Sequence, residues 1–280
     1  MRNPRIHRIL KSAGAAAGLV IAPIALHAQG LEARSQVSSR TRLVASGDSA
    51  ESNGETSEYT FKSRSDSLSW ARHRKIAAQA SGFHLVVSLQ DRHIWAIVGE
   101  DTVLSAPAAV ASGTTLQYGN RTWTFDMPRG VRTVLGKEAD PIWQPPEWLY
   151  AETAEEHGLK LGHISASHPT RLSDGRKLVV RNDEVGVVDK DGNYLGALPT
   201  DEHIVFDNTL YVPPMGTKNR KVEGELGKYR LILGDGFLLH GTPYKESIGL
   251  AATHGCVRLR DEDIEWLYEH VPVGTKVYIY

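Results

Sequence analysis

The sequence predicts a mainly-β protein, a β-sandwich of mixed sheets with few helices. Short apolar runs recur from Phe83 to Tyr280, turn-forming residues separate them, and only two stretches carry helical spacing. The composition, 41% hydrophobic and 23% charged over 280 residues, is that of an ordinary globular chain able to fill a core.

Residues 1–28 read as a cleaved secretory signal. Arg2, Arg5, Arg8 and Lys11 precede an apolar stretch over 13–26, and small residues follow near Ala28. The stretch is too short and too rich in Ala and Gly for a membrane span, which needs about 20 strongly apolar residues. No later segment approaches that length, so the mature protein is expected outside the cytoplasm, in the periplasm or cell wall, with no stable membrane span. Removing the four basic residues of the signal leaves 28 basic against 33 acidic residues, a net charge of about −5. No polycation surface for nucleic acid is implied.

Residues 29–80 are expected to form a flexible linker, since Ser, Arg, Glu and Gly dominate its first 40 or so positions and large apolar residues are scarce. A short helix over 69–80 would lead into the folded body, residues 81–280. That body opens with apolar runs at 85–89 and 94–98 joined by the polar Gln90-Asp91-Arg92-His93, which reads as two paired strands. A third strand is expected at 108–111. Further strands are expected at 122–125, 131–135, 178–180 and 185–188, the last running into the turn Asp189-Lys190-Asp191-Gly192-Asn193.

The carboxy-terminal third carries the clearest patterns. The runs at 229–233 and 237–240 flank Gly234-Asp235-Gly236 and read as a hairpin that delivers His240 to a strand end. Asp261 is placed to cap a helix whose Ile264, Leu267, Tyr268 and Val271 follow the i, i+3, i+4, i+7 pattern, closed by Pro272 and Gly274; a final strand covers 276–280.

Between hairpin and helix stands the only cysteine, Cys256. A single cysteine forms no disulfide within its own chain, so in an exported protein it is free or paired between chains. A buried thiol acting as a small hydrophobe is the bland reading. The neighbours argue for chemistry: Gly255 permits close backbone approach, and His254 and His240 offer nitrogen bases.

His240-Gly241-Thr242-Pro243, then Ser247-Ile248-Gly249, then Thr253-His254-Gly255-Cys256-Val257-Arg258-Leu259 resembles the signature of the L,D-transpeptidase catalytic domain, also called YkuD. Gly224-Glu225-Leu226-Gly227 and Val271-Pro272-Val273-Gly274-Thr275 fit the same domain, and Pro128-Arg129-Gly130 and Trp143-Gln144-Pro145-Pro146 resemble its landmarks. Residues 150–206 look like an insertion relative to smaller members, and Arg258 stands where some members carry Asn.

The resemblance implies the L,D-transpeptidase catalytic-domain fold and peptidoglycan stem peptides as partners. Cys256 would attack the meso-diaminopimelate carbonyl of a tetrapeptide stem, release D-Ala and pass the acyl group to an amine. The product is a 3-3 crosslink, or an amine-bearing envelope protein attached to the wall. His240 is the base, Gly241 orients it through its carbonyl, and the backbone amides of Cys256 and of Gly255 or His254 supply oxyanion donors. Thr253 and Arg258 read as substrate contacts, or as a strand residue and a structural ion pair. An L,D-carboxypeptidase with the same site and a non-catalytic wall-binding protein are the alternatives; intact His240 and Cys256 speak against the latter. No cofactor or metal is called for. His157, His163 and His168 lack a helical i, i+4 pair, and His240, His254 and Cys256 lack a fourth zinc ligand. Trp143, Trp148 and Tyr150 read as core packing or as a groove lining, and 212–220 as a lid over the cleft.

Overall fold

The computed structural model describes residues 9–11 and 61–280. Two mixed sheets share the main core. The first runs Asp101–Pro107, His93–Val98, Phe83–Ser88, Lys276–Ile279, Gly130–Thr133, and only its central pair, Phe83–Ser88 with Lys276–Ile279, is parallel. The second runs Val257–Arg258, Leu238–His240, Tyr229–Ile232, Gly136–Ala139, with its first pair parallel.

The period of two along each strand turns one set of side chains inward. Leu85, Val87, Ile94, Ala96, Val277 and Ile279 from the first sheet meet Leu231, Leu239 and Val257 from the second, and all are buried. Each such aliphatic residue contributes roughly 1.5–3 kcal/mol of transfer free energy. Helix α3, Asp261–His270, closes this core with Ile264 and Leu267.

Residues 150–206, with the flanking residues 147–149 and the strand Thr209–Val212, build two smaller cores. The strands Thr170–Arg171, Lys177–Arg181, Glu184–Val188 and Tyr194–Ala197 form an antiparallel meander, whose Leu178, Val185 and Val187 pack on Ile204 and Phe206 of the strand His203–Phe206. His203–Phe206 pairs with Thr209–Val212, which pairs in parallel with Lys160–His163. Helix α2, Glu147–Glu156, buries Leu149, Tyr150 and Ala154 against Leu210 and Val212.

Several expectations change. The third strand is Asp101–Pro107, because Pro107 ends the run; Val110–Ala111 leaves that sheet and pairs with Ala251–Thr253 just before the cysteine. Asp261 is the first residue of α3 rather than its cap, a position Arg260 occupies without a side-chain bond. Helix α2 escapes a periodicity reading because most of its circumference is buried, which erases the polar face. The helix expected at 69–80 is α1, Arg64–Ala78, started earlier by Ser63, whose hydroxyl accepts from the Asp66 amide at 3.1 Å. Of the expected signal only Ile9–Lys11 is described, as a strand parallel to His203–Phe206; the rest of 1–28, and 29–60 of the expected linker, lie outside the described residues. No helix among the described residues is long and apolar enough to cross a membrane.

Helix α1 is packed, not loose. Ala77 is buried with Val86 and Tyr280, Trp70 meets Tyr280 edge-on at 6.3 Å, and Asp66 pairs with Arg129, both side chains mostly covered. A chain that begins at residue 82 exposes that surface and loses the Asp66–Arg129 pair. Its unfolding free energy is expected to fall by about 2 kcal/mol or more relative to a chain begun at residue 61, and denaturant melts of the two measure it.

Candidate active site

His240 and Cys256 reach one place through a parallel pairing. His240 ends the strand Leu238–His240, which lies beside Val257–Arg258 with Leu239 opposite Val257 and His240 opposite Arg258. Cys256 is the residue before that second strand. The hairpin turn upstream needs positive φ at Gly234, Asp235 and Gly236, and it brings the Gly236 carbonyl to 3.9 Å from the Cys256 sulfur.

The turn carrying the cysteine is braced from inside. Thr253 is buried, its hydroxyl donates to the Cys256 carbonyl at 2.6 Å, and it accepts from the Gly255 amide at 3.3 Å. Gly255 has φ +133°, a conformation few side chains tolerate. Among the described residues the amides of His254 and Cys256 have no acceptor, whereas that of Gly255 is engaged. The expectation that the Gly255 amide serves an oxyanion therefore shifts to His254, and Thr253 acts as the brace of the turn, with its hydroxyl committed away from a ligand.

His240 is buried, and its ring is oriented by its own neighbour. Nδ1 lies 2.6 Å from the Gly241 carbonyl, an acceptor, so Nδ1 carries the proton and Nε2 holds the free lone pair. Gly241 sits behind the ring, packed backbone to backbone on Gly227: a Cβ added to Gly227 would stand 2.6 Å from the Gly241 Cα, at φ +67°. Two glycines are needed there because any side chain would push the orienting carbonyl away.

A cleft of about 490 Å³ opens over these groups. His240, Thr253, His254, Gly255, Cys256 and Arg258 all line it, with Trp143, Trp148, Phe125 and Phe237 as apolar walls. Tyr150 turns the other way, into the core beneath α2, where burial pushes its hydroxyl up to about 12. The segment 212–220 does not border this cleft. Arg220 there is buried, donating to the carbonyls of Pro145 and Pro213 at 2.7 and 2.6 Å, and Asn219 accepts from the Val185 amide, which ties the segment to residues 150–206. Glu225 and Leu226 take the position over the cleft instead.

Arg258 corrects the ion-pair reading. No carboxylate lies within salt-bridge reach of it among the described residues, and its guanidinium lies over the Tyr244 ring at 5.6 Å, facing the cleft. It is thus an available cation beside Cys256. Arg230, opposite His240 on the other side, is taken up by Glu138.

The histidines of 150–206 have ordinary duties. His163 bonds Glu147 at 2.8 Å, His157 bonds the Thr153 carbonyl at 3.0 Å, and His168 bonds Ser167 at 2.8 Å. The site residues that the sequence did not mark are Glu152 and the supporting role of Trp148. Their signal was Pro145-Pro146 ahead of Glu147, a helix start that puts positions 148 and 152 on one face.

The family model of the L,D-transpeptidase catalytic domain, YkuD, matches residues 82–279. The chain belongs to the YkuD family. Among similar curated proteins, the probable L,D-transpeptidase YbiS of Escherichia coli (strain K12) is 48% identical over 66 residues, 24% of this chain and 20% of that protein. The putative L,D-transpeptidase YqjB of Bacillus subtilis (strain 168) is 39% identical over 41 residues, 15% of this chain and 23% of that protein. The matched part spans about a fifth of the length of these relatives. Among solved structures, the L,D-transpeptidase from Xylanimonas cellulosilytica aligns over 72% of this chain and 62% of that one, with 16% identity and a TM-score of 0.38. The catalytic domain of the Enterococcus faecium L,D-transpeptidase acylated by ertapenem aligns over 72% and 99%, with 14% identity and a TM-score of 0.36.

Electrostatics favour the uncharged forms of His240 and Cys256 in this YkuD site. Burial, then the charge of Arg258, lowers His240 to about 3, against the smaller raising effect of the Gly241 bond. Burial raises the Cys256 thiol above its ordinary value, against the smaller lowering effects of the Leu238 backbone and Arg258. Both shifts oppose moving the proton from sulfur to imidazole, and the attraction of the ions once formed offsets this in part.

Two outcomes follow for measurement. A folded-state value below the unfolded 6.5 means that stability is full above about pH 6.5 and is lost as pH falls toward 3, because the unfolded chain binds the proton more readily. Urea unfolding at pH 4.5 is expected to show about 2–3 kcal/mol less stability than at pH 7 on this account, and His240→Gln, which lacks the titrating imidazole, is expected to lose that part of the pH dependence. Alkylation of Cys256 by iodoacetamide is expected to keep accelerating with pH beyond about 8.5. A plateau reached below pH 7 would reveal a resident thiolate instead.

Proposed function

We propose that this protein is an exported peptidoglycan L,D-transpeptidase with Cys256 as nucleophile and His240 as general base and acid. The observation that carries the reading is the pairing, in one cleft, of the lone thiol with an imidazole whose Nδ1 is bound to the Gly241 carbonyl and whose Nε2 is thereby left basic.

The thiol proton passes to His240 as sulfur attacks the meso-diaminopimelate carbonyl of a tetrapeptide stem. The tetrahedral oxyanion takes hydrogen bonds from the amides of Cys256 and His254; losing one such donor typically costs about 3 kcal/mol of barrier. His240 returns the proton to the departing D-Ala nitrogen, leaving a thioester. An acceptor amine then attacks the thioester carbonyl, loses its proton to His240 and displaces the thiol. Arg258, the available cation of the cleft, takes a carboxylate of the stem and eases the negative charge that passes through sulfur.

The decisive experiment mixes the protein with a carbapenem and reads the intact mass. An adduct on Cys256 is expected, absent in Cys256→Ala and formed about 10²-fold or more slowly in His240→Ala. No adduct on folded, reduced protein sinks the proposal. With stem peptides, new crosslinked dimers mark transfer, and tripeptides alone would reassign the protein to hydrolysis.

A further inference from the structure

His254 is the one long side chain in the turn Thr253-His254-Gly255-Cys256, and helix α2 clamps it. Its ring stacks on Trp148 with centroids 4.0 Å apart and planes 13° from parallel, while Phe125 meets it edge-on at 4.3 Å. Its Nε2 stands 3.5 Å from the Glu152 carboxylate. A carboxylate only accepts, so Nε2 carries a proton.

Trp148 and Glu152 are four apart and share a face of α2. Leu149, Tyr150 and Ala154 anchor the helix in the core formed with Leu210 and Val212, and Glu147 adds bonds to Arg121 and His163. The helix is thus a rigid mount on one side and a clamp on the other. Thr253 fixes the Gly255 amide and the Cys256 carbonyl from within the turn, and the Ser112 amide holds the Thr253 carbonyl at 2.9 Å. The His254 ring is the remaining grip on the Thr253–His254 peptide, and fixing it aims the His254 amide, one of the two donors without an acceptor among the described residues.

We propose that Glu152 is a positioning residue of the active site: by holding His254 through Nε2 against the Trp148 face, it sets the direction of the His254 amide that receives the oxyanion. Residues 150–206 thereby act on the chemistry through α2. The inference rests on the transpeptidase reading for its kinetic consequence and on the clamp alone for its structural one. Donors preset toward the developing charge need no reorganisation during reaction, and loss of such presetting lowers the rate of the bond-forming step more than the binding of the donor.

The test compares the full chain with Glu152→Gln and Glu152→Ala. Carbapenem acylation is followed by intact mass over a range of drug concentrations, and the His254 ring nitrogens by NMR. The alanine variant is expected to lower the limiting acylation rate about tenfold or more with little change in half-saturating concentration, and to release His254 into a mixture of tautomers. The glutamine variant still offers an acceptor oxygen and is expected to stay near wild type in both readouts. Glu152→Met fills the same volume without that acceptor and replaces the alanine variant should the latter fail to fold. Wild-type acylation in the folded alanine or methionine variant, or an unchanged His254 tautomer, overturns the proposal. If the wild-type protein itself is not acylated, the transpeptidase reading falls while the tautomer comparison still decides the clamp.

Discussion

The parallel pairing of Leu238–His240 with Val257–Arg258 is the constraint on which the site depends. Parallel neighbours cannot be joined by a tight hairpin, so the chain must leave the strand after His240 and return. It does so through Gly241, the short helical turn Lys245–Ser247 and the strand Ala251–Thr253, which pairs with Val110–Ala111 before the cysteine turn. The Leu259 amide then donates to the His240 carbonyl at 2.9 Å, locking the two segments level. A slip of one residue would turn the cysteine's neighbours to the opposite face and bury charge in the core between the sheets.

Burial governs the electrostatics in the same place. The core that holds both strands rigid also buries His240 and partly covers Cys256, and the charge of Arg258 deepens the effect at His240 while it moderates the one at Cys256. Rigidity and neutrality thus have one source. The Gly227 and Gly241 contact belongs to it too, since the two backbones approach closely enough that the orienting carbonyl has no room to drift. The second layer, Glu152 and Trp148 around His254, comes from a different part of the chain and a different core.

The sandwich was legible because its strands alternate, and the cysteine with its two histidines was legible because a lone thiol beside bases and glycine has few bland explanations. What escaped was set by distance along the chain. Asp101–Pro107 reads poorly because its first three residues are exposed on an edge strand, and α2 reads poorly because burial on several sides leaves no periodic polar face. Thr253 is the strand residue expected, at the end of Ala251–Thr253, but its duty as a brace depends on the turn that follows. Arg258 reads like half of an ion pair, and its duty depends on the absence of a nearby carboxylate among the described residues, which is not written in adjacent letters. The segment 212–220 has the composition of a lid, yet Asn219 and Arg220 are drawn into bonds with backbone atoms up to 75 positions away.

The raised thiol has a consequence for survival as well as for rate. Thiolate, not thiol, is what peroxides oxidise and what disulfides capture. A cysteine held protonated between turnovers, with its sulfur against the Gly236 carbonyl and its charge suppressed by burial, offers oxidants little to attack. Where exposed thiols are readily oxidised, such a site keeps its thiol intact.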